Sequence, residues 1–106
     1  MKPLSLSAVA VLGAIANRVR YGFDIMDATG LPSGTVYPIL GRLERDGYVR
    51  SRWEAQSAAQ REKRPPRRYY EISASGVRAL TEAIEHYRTL GGRLPALAPR
   101  PRLSTR

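Results

Sequence analysis

Apolar and polar positions divide the chain into a series of runs, each predicting an element. From Leu4 to about Asn17, Leu6, Val9, Ala10, Val11, Leu12 and Ile15 leave no polar face. Such a helix sits centrally in a bundle or between neighbours. Tyr21 to Ala28 predicts a second, short helix, with Phe23 and Met26 facing the core beside Ile25, Asp24 and Asp27 near solvent, and Gly30 as a left-handed stop. Val36, Ile39, Leu40 and Leu43 then fall at i, i+3, i+4 and i+7, one face of a third helix. Proline is tolerated only near a helix start, so Pro38 places the expected start near Thr35 rather than Ser33. Asp46-Gly47 closes this helix. Its other face carries Thr35, Tyr37, Pro38, Arg42 and Arg45.

The pattern changes after Gly47. Tyr48 to Glu54 partly alternates, with Val49, Ser51 and Trp53 on one side and Tyr48, Arg50, Arg52 and Glu54 on the other, which predicts a strand with Trp53 beneath it. Arg67 to Ile72 predicts a second strand. The Ala55–Pro66 stretch between them is small and polar, then basic, and predicts a hairpin tip that projects rather than packs. Ser73 caps a helix running to about Leu90, with Val77, Leu80, Ile84, Tyr87 and Leu90 as its stripe. The earlier segments satisfy a three-helix core, so this stripe is expected to meet another subunit. Gly91-Gly92 is expected to end the helix. Arg93 to Arg106 holds Pro95, Pro99, Pro101, four arginines and no acid, and reads as a disordered basic tail.

Charge narrows the function. A formal net charge of +9 over 106 residues makes an acidic polymer the natural partner. Arg50, Arg52, Arg61, Lys63, Arg64, Arg67 and Arg68 concentrate that charge around the hairpin. The chain has no cysteine and one histidine, His86, so no thiolate or histidine-cluster metal site is expected. No nucleophile–base pair, carboxylate pair or phosphate loop is recognisable, and neither an enzyme nor a cofactor is expected. Met1-Lys2 followed by Leu4 to Ala16 imitates a secretory leader. A single lysine, the interruptions at Ser5 and Ser7, and the need of later helices for this segment favour a buried helix in a cytoplasmic protein. The run is too short to span a bilayer, and no membrane contact is expected.

Two short helices joined by a Gly/Pro turn, the second amphipathic and basic, form a helix-turn-helix pattern, and the following hairpin resembles a wing. The residues that carry a closer resemblance are Tyr21-Gly22-Phe23-Asp24-Ile25, Ser33-Gly34-Thr35-Val36-Tyr37-Pro38-Ile39-Leu40, Leu43-Glu44, Gly47-Tyr48-Val49, and Arg68 to Gly76. In this order they resemble the PadR-like transcriptional regulators, named for the phenolic acid decarboxylase regulator, over most of residues 4 to 90. The resemblance implies a mainly α fold with a small β-hairpin: a winged helix-turn-helix over 1–72, a dimerisation helix over 73–90 and the tail over 91–106. It implies a repressor that binds an inverted repeat in double-stranded DNA as a homodimer, and the single helix after the wing resembles the short subfamily. Tyr21 stands where the family usually has histidine. Some drug-sensing relatives stack planar ligands between tryptophans of the dimerisation helix; here the one tryptophan is Trp53, in the wing strand. An inducer, if one exists, is not indicated.

The expected DNA-binding residues are Ser33, Gly34, Thr35, Tyr37, Pro38 and Arg42 on the third helix and Arg61, Lys63, Arg64 and Arg67 on the wing. Ser33 and Gly34 would offer backbone N–H groups to a phosphate, Thr35 and Pro38 suit a thymine methyl, and the wing cations suit phosphates or a minor groove. Val77, Leu80, Ile84, Tyr87 and Leu90 are the expected dimerisation residues. The alternative reading is a basic winged helix that binds RNA or a protein partner without operator preference.

Overall fold

A computed structural model describes residues 3–99. The expected tail positions 100–106 lie outside the described residues. The elements are α1 (Leu6–Ala16), α2 (Gly22–Thr29), α3 (Ser33–Arg45), β1 (Val49–Trp53), α4 (Gln56–Arg61), β2 (Arg68–Ile72) and α5 (Ala74–Leu97). The protein is mainly helical with one antiparallel two-stranded hairpin. No helix of the described residues is long and apolar enough to cross a membrane.

The central helix is α1. Ser5 caps it, its side chain accepting from Ala8 N at 3.1 Å. Val11, Leu12 and Ile15 bury into a cluster with Ile25, Val36, Leu40, Leu43, Val49 and Tyr70. One residue set therefore joins α1, α2, α3 and both strands into a single core. Val36, Leu40 and Leu43, the predicted inner face of α3, are buried, with Ile39 at the edge.

α2 turns a different face inward. Gly22, Ile25 and Met26 point to the core, while Phe23, expected inside, is 75% exposed. Gly30 ends α2 in the left-handed region at φ 72°, donating to Met26 O at 2.8 Å. α3 begins at Ser33, two residues earlier than expected. Pro32 is its N-cap residue and its carbonyl accepts from Thr35 N and Val36 N at 2.9 and 3.0 Å. Pro38 therefore lies one turn inside the helix. The amide it lacks would have bonded the carbonyl of Gly34, a residue on the exposed side of the helix.

β1 and β2 pair in register from Val49↔Ile72 to Trp53↔Arg68. The connection between them packs back instead of projecting. It contains α4, whose Ala59 is fully buried. Tyr21 bridges to Tyr69, and Tyr70 N donates to Arg20 O at 2.9 Å, so the α1–α2 connection lies along the outer edge of β2.

α5 continues past Gly91-Gly92 to Leu97, with Pro95 inside it. Neither glycine adopts the positive φ that would stop a helix. Each costs about 1 kcal/mol relative to alanine, and Arg93, Leu94, Ala96 and Leu97 resume good helix formers. Residues 91–97, expected as tail, are thus the last two turns of α5. The apolar stripe of α5 is also divided. Leu80 packs against the core, Ala83 is buried, and Tyr87 donates its hydroxyl to Leu4 O at 2.6 Å. Val77, Ile84 and Leu90 remain exposed, joined by Leu94 and Leu97.

Candidate nucleic-acid interface

The outward face of α3, the N-terminus of α2 and the hairpin form one continuous surface. Ser33, Gly34, Tyr37, Pro38 and Arg42 are exposed on it, and Thr35 is half-buried. Neither Ser33 nor Thr35 makes a side-chain cap, and the α3 N-terminus closes only on the Pro32 carbonyl. The Ser33 and Gly34 amides are the unpaired donors every helix leaves at its start. Tyr37 owes its orientation to a missing side chain: a Cβ on Gly22 would overlap the Tyr37 hydroxyl and approach its Cε1 to 2.8 Å. Gly22 thus lets the Tyr37 ring lie against α2.

Two polar clusters fix the wing to this surface. In the first, Ser51 Oγ donates to Glu44 Oε2 at 2.6 Å, and Arg68 Nη2 reaches Glu44 Oε1 at 3.2 Å and Ser51 Oγ at 2.7 Å. This couples β1 and β2 to the last turns of α3. In the second, Glu54 gathers the wing tip. Its carboxylate accepts two hydrogen bonds from Arg64 (2.5 and 3.1 Å), one from Arg67 N at 2.8 Å and one from the Tyr21 hydroxyl at 3.0 Å. The Arg67 guanidinium lies 3.9 Å over the Tyr21 ring centroid. Arg64 is therefore engaged with a carboxylate, and its side chain is 24% exposed. Sequence placed Arg64 among the expected DNA-binding cations of the wing. Its partner ten residues upstream, and the role of Glu54 and Tyr21 as an anchor, had no local signal.

Glu54 is held well below the usual carboxylate range, first by its hydrogen bond from Arg64, then by the Arg67 amide and Tyr21, against partial desolvation. Arg64 is correspondingly raised by Glu54. The Tyr21 phenol is raised by burial and by the Glu54 carboxylate, which keeps it a donor. Because the folded value is depressed, the stabilisation from Glu54 is complete above the ordinary value of 4.5 and is lost as pH falls through the folded value. Thermal melts of the wild type and Glu54→Gln should therefore differ by a constant amount from pH 8 down to pH 5, with the gap closing below about 4.5. A gap that already closes between pH 8 and 6 would show that the carboxylate is not held this way.

Other cations stay uncommitted. Among the described residues Arg42, Arg45, Arg61 and Lys63 form no salt bridge, whereas Glu44, Glu54, Glu62 and Glu71 each pair with an arginine. The surface thus has positive charge left for an outside anion. Among the described residues no cluster of His, Asp or Glu could hold a metal ion.

A transcriptional-regulator family model, the PadR-like family, matches residues 11–82, more than half of the chain. The chain belongs to the PadR-like transcriptional regulators. No curated protein sequence matches it. Among solved structures, a Streptococcus mutans protein is 24% identical with a TM-score of 0.75, covering 97% of this chain and 98% of its own. A PadR family transcription regulator from Clostridium difficile is 18% identical with a TM-score of 0.76, over 89% of this chain and 100% of that one. A PadR family transcriptional regulator from Eggerthella lenta is 26% identical with a TM-score of 0.64, over 84% and 80%. These similarities place the five helices and the hairpin in the winged-helix architecture of this family.

Proposed function

We propose that this PadR-like protein is a repressor that acts in the cytoplasm, binding an inverted-repeat operator in double-stranded DNA as a homodimer. The observation that carries this reading is the exposed hydroxyl-bearing and basic face of α3 beside a wing whose Arg61 and Lys63 have no carboxylate partner among the described residues. α3 enters a major groove. Thr35, Tyr37 and Pro38 meet base edges and sugars, and the Ser33 and Gly34 amides meet a phosphate. Arg42, Arg61, Lys63 and Arg67 contact the backbone, while Arg64 serves by holding the wing tip on Glu54. In the dimer, two copies of α3 stand about 34 Å apart, one helical turn of DNA. Occupying a promoter then blocks transcription.

A binding titration against the DNA upstream of its own gene, with scrambled DNA as control, tests this. A footprint over an inverted repeat is expected, with affinity falling steeply as salt rises. Equal affinity for both DNAs would defeat the operator reading. Side-chain roles separate in the same assay. Tyr37→Ala should weaken operator binding more than scrambled-DNA binding. Arg61→Ala should weaken both alike and lower the salt slope by about one unit. Equal loss of operator preference in both variants would reject this division of labour.

A further inference from the structure

The chain contains one phenylalanine and one tryptophan, and the core uses neither. Phe23 is 75% exposed and Trp53 is 66% exposed. Large aromatic side chains ordinarily supply core area, and leaving both outside forgoes that stabilisation. The two lie together: with Tyr37, Arg67 and Arg68 they line a cleft of about 370 Å³ between the start of α2, the middle of α3 and the wing. That volume is in the range of small-ligand sites, about 300–1,000 Å³. Its walls are flat aromatic rings, and two guanidiniums stand at its side, Arg67 paired with Glu54 at 3.6 Å and Arg68 with Glu44 at 3.2 Å, each still half-exposed. Gly22 sits at its floor, where the absence of a side chain leaves room for the Tyr37 ring.

An intact duplex presents base edges and phosphates, never base faces. Exposed rings interleaved with arginine match the other form of nucleic acid, in which a base has left its stack and offers a face while its phosphate meets a cation. Charge complementarity selects an anion, and the rings select a planar one. We propose that this cleft takes a single unstacked nucleobase with its attached phosphate, the base against Phe23, Tyr37 and Trp53 and the phosphate on Arg67 and Arg68. The inference rests on the DNA-facing reading of this surface and adds Phe23 and Trp53, which duplex docking does not use, to Tyr37 and Arg67, which it does. The nucleotide unit comes either from a DNA strand with an unpaired base or from a free nucleotide.

Trp53 is a built-in reporter, because no other tryptophan contributes to the emission. The full-length protein would be titrated at low salt with single-stranded (dT)8 and with thymidine 5′-monophosphate, following tryptophan emission. A labelled promoter duplex would be titrated in parallel by anisotropy. Saturable quenching by (dT)8 or by the mononucleotide is expected. Saturation by (dT)8 at least about a hundredfold lower in nucleotide concentration assigns the strand, and equal concentrations assign the free nucleotide. Phe23→Leu keeps the apolar volume and the charge but removes the ring face. It should weaken that binding about tenfold without changing the salt slope, and Phe23→Tyr should restore it. Its melting temperature should match the wild type, since Phe23 is outside the core. Unchanged Trp53 emission with both ligands, or equal binding by Phe23→Leu, overturns the proposal; duplex binding that persists then leaves the operator reading intact. Loss of duplex binding alone, with (dT)8 still quenching, removes the operator reading and leaves the cleft.

Discussion

Replacing Gly76 by alanine is expected to lower the midpoint of thermal unfolding by about 10–20 °C, a loss of about 3 kcal/mol. Gly76 sits in the first turn of α5, where this helix crosses the end of the α3–β1 connection. A Cβ there would overlap the Tyr48 carbonyl oxygen and come within 2.8 Å of Ile72 Cγ1. The Tyr48 carbonyl cannot swing away, because it already accepts from Ser73 N at 2.9 Å. Ser73 Oγ also donates to Gly47 O at 2.6 Å while capping Gly76 N, and Ser75 Oγ donates to Gly47 O at 3.0 Å. The junction is therefore crowded by backbone on both sides, and relieving the overlap means lifting α5 off the wing root. Gly13→Ala is the matched control. It is also a helical glycine, but nothing lies within 4 Å of its added Cβ, so it should stabilise by about 0.5–1 kcal/mol. Melts followed by circular dichroism distinguish the two, and an unchanged midpoint in Gly76→Ala would show that the junction yields.

The contrast between these two glycines also explains what a reader of the sequence could see. The inner face of α3 was legible because Val36, Leu40 and Leu43 repeat with the helix period and are all large. The inner face of α2 was legible only at Ile25 and Met26, because its remaining position is Gly22, which has no hydropathy signal, and because the space above that glycine belongs to Tyr37 fifteen residues later. Period alone then put Phe23 on the inside, and Ile25 took the place. The hairpin was legible from its two β-prone runs, whereas its tip was misread as projecting. A run of cations looks solvated until a buried alanine, Ala59, and a distant carboxylate, Glu54, are seen to hold it down. Trp53 escaped for the related reason that alternation assigns it a face, and at the end of a twisted two-stranded hairpin nothing covers that face. Gly91-Gly92 looked like a stop because glycine is permitted to be one, although helix formers follow it.

The largest effect on DNA binding is expected from α5. Ile84→Asp combined with Leu90→Asp should convert a dimer to a monomer and weaken operator binding by about 10²–10⁴-fold, the factor that linking two half-site contacts contributes. Ile84 and Leu90 are 41% and 42% exposed on a helix that spends Leu80, Ala83 and Tyr87 on the core and the N-terminal segment. Of the five residues expected to form the dimer stripe, the fold has thus used Leu80 and Tyr87 for its own body. Val77, Ile84 and Leu90 remain, extended by Leu94 and Leu97. A two-fold interface is isologous, so each substitution enters it twice and places carboxylates against apolar partners and against one another. The monomer itself should fold unchanged, because both positions face solvent within one chain. Light scattering would report the mass, circular dichroism the helix content, and anisotropy the affinity for a full operator and for one half-site. Expected are a halved mass, unaltered helicity, a lost preference for the full operator and an unchanged half-site affinity. Leu80→Asp should behave differently and lower the melting temperature, since it places charge against the core. A variant that keeps the dimer mass with both aspartates present would move the subunit contact off this face of α5.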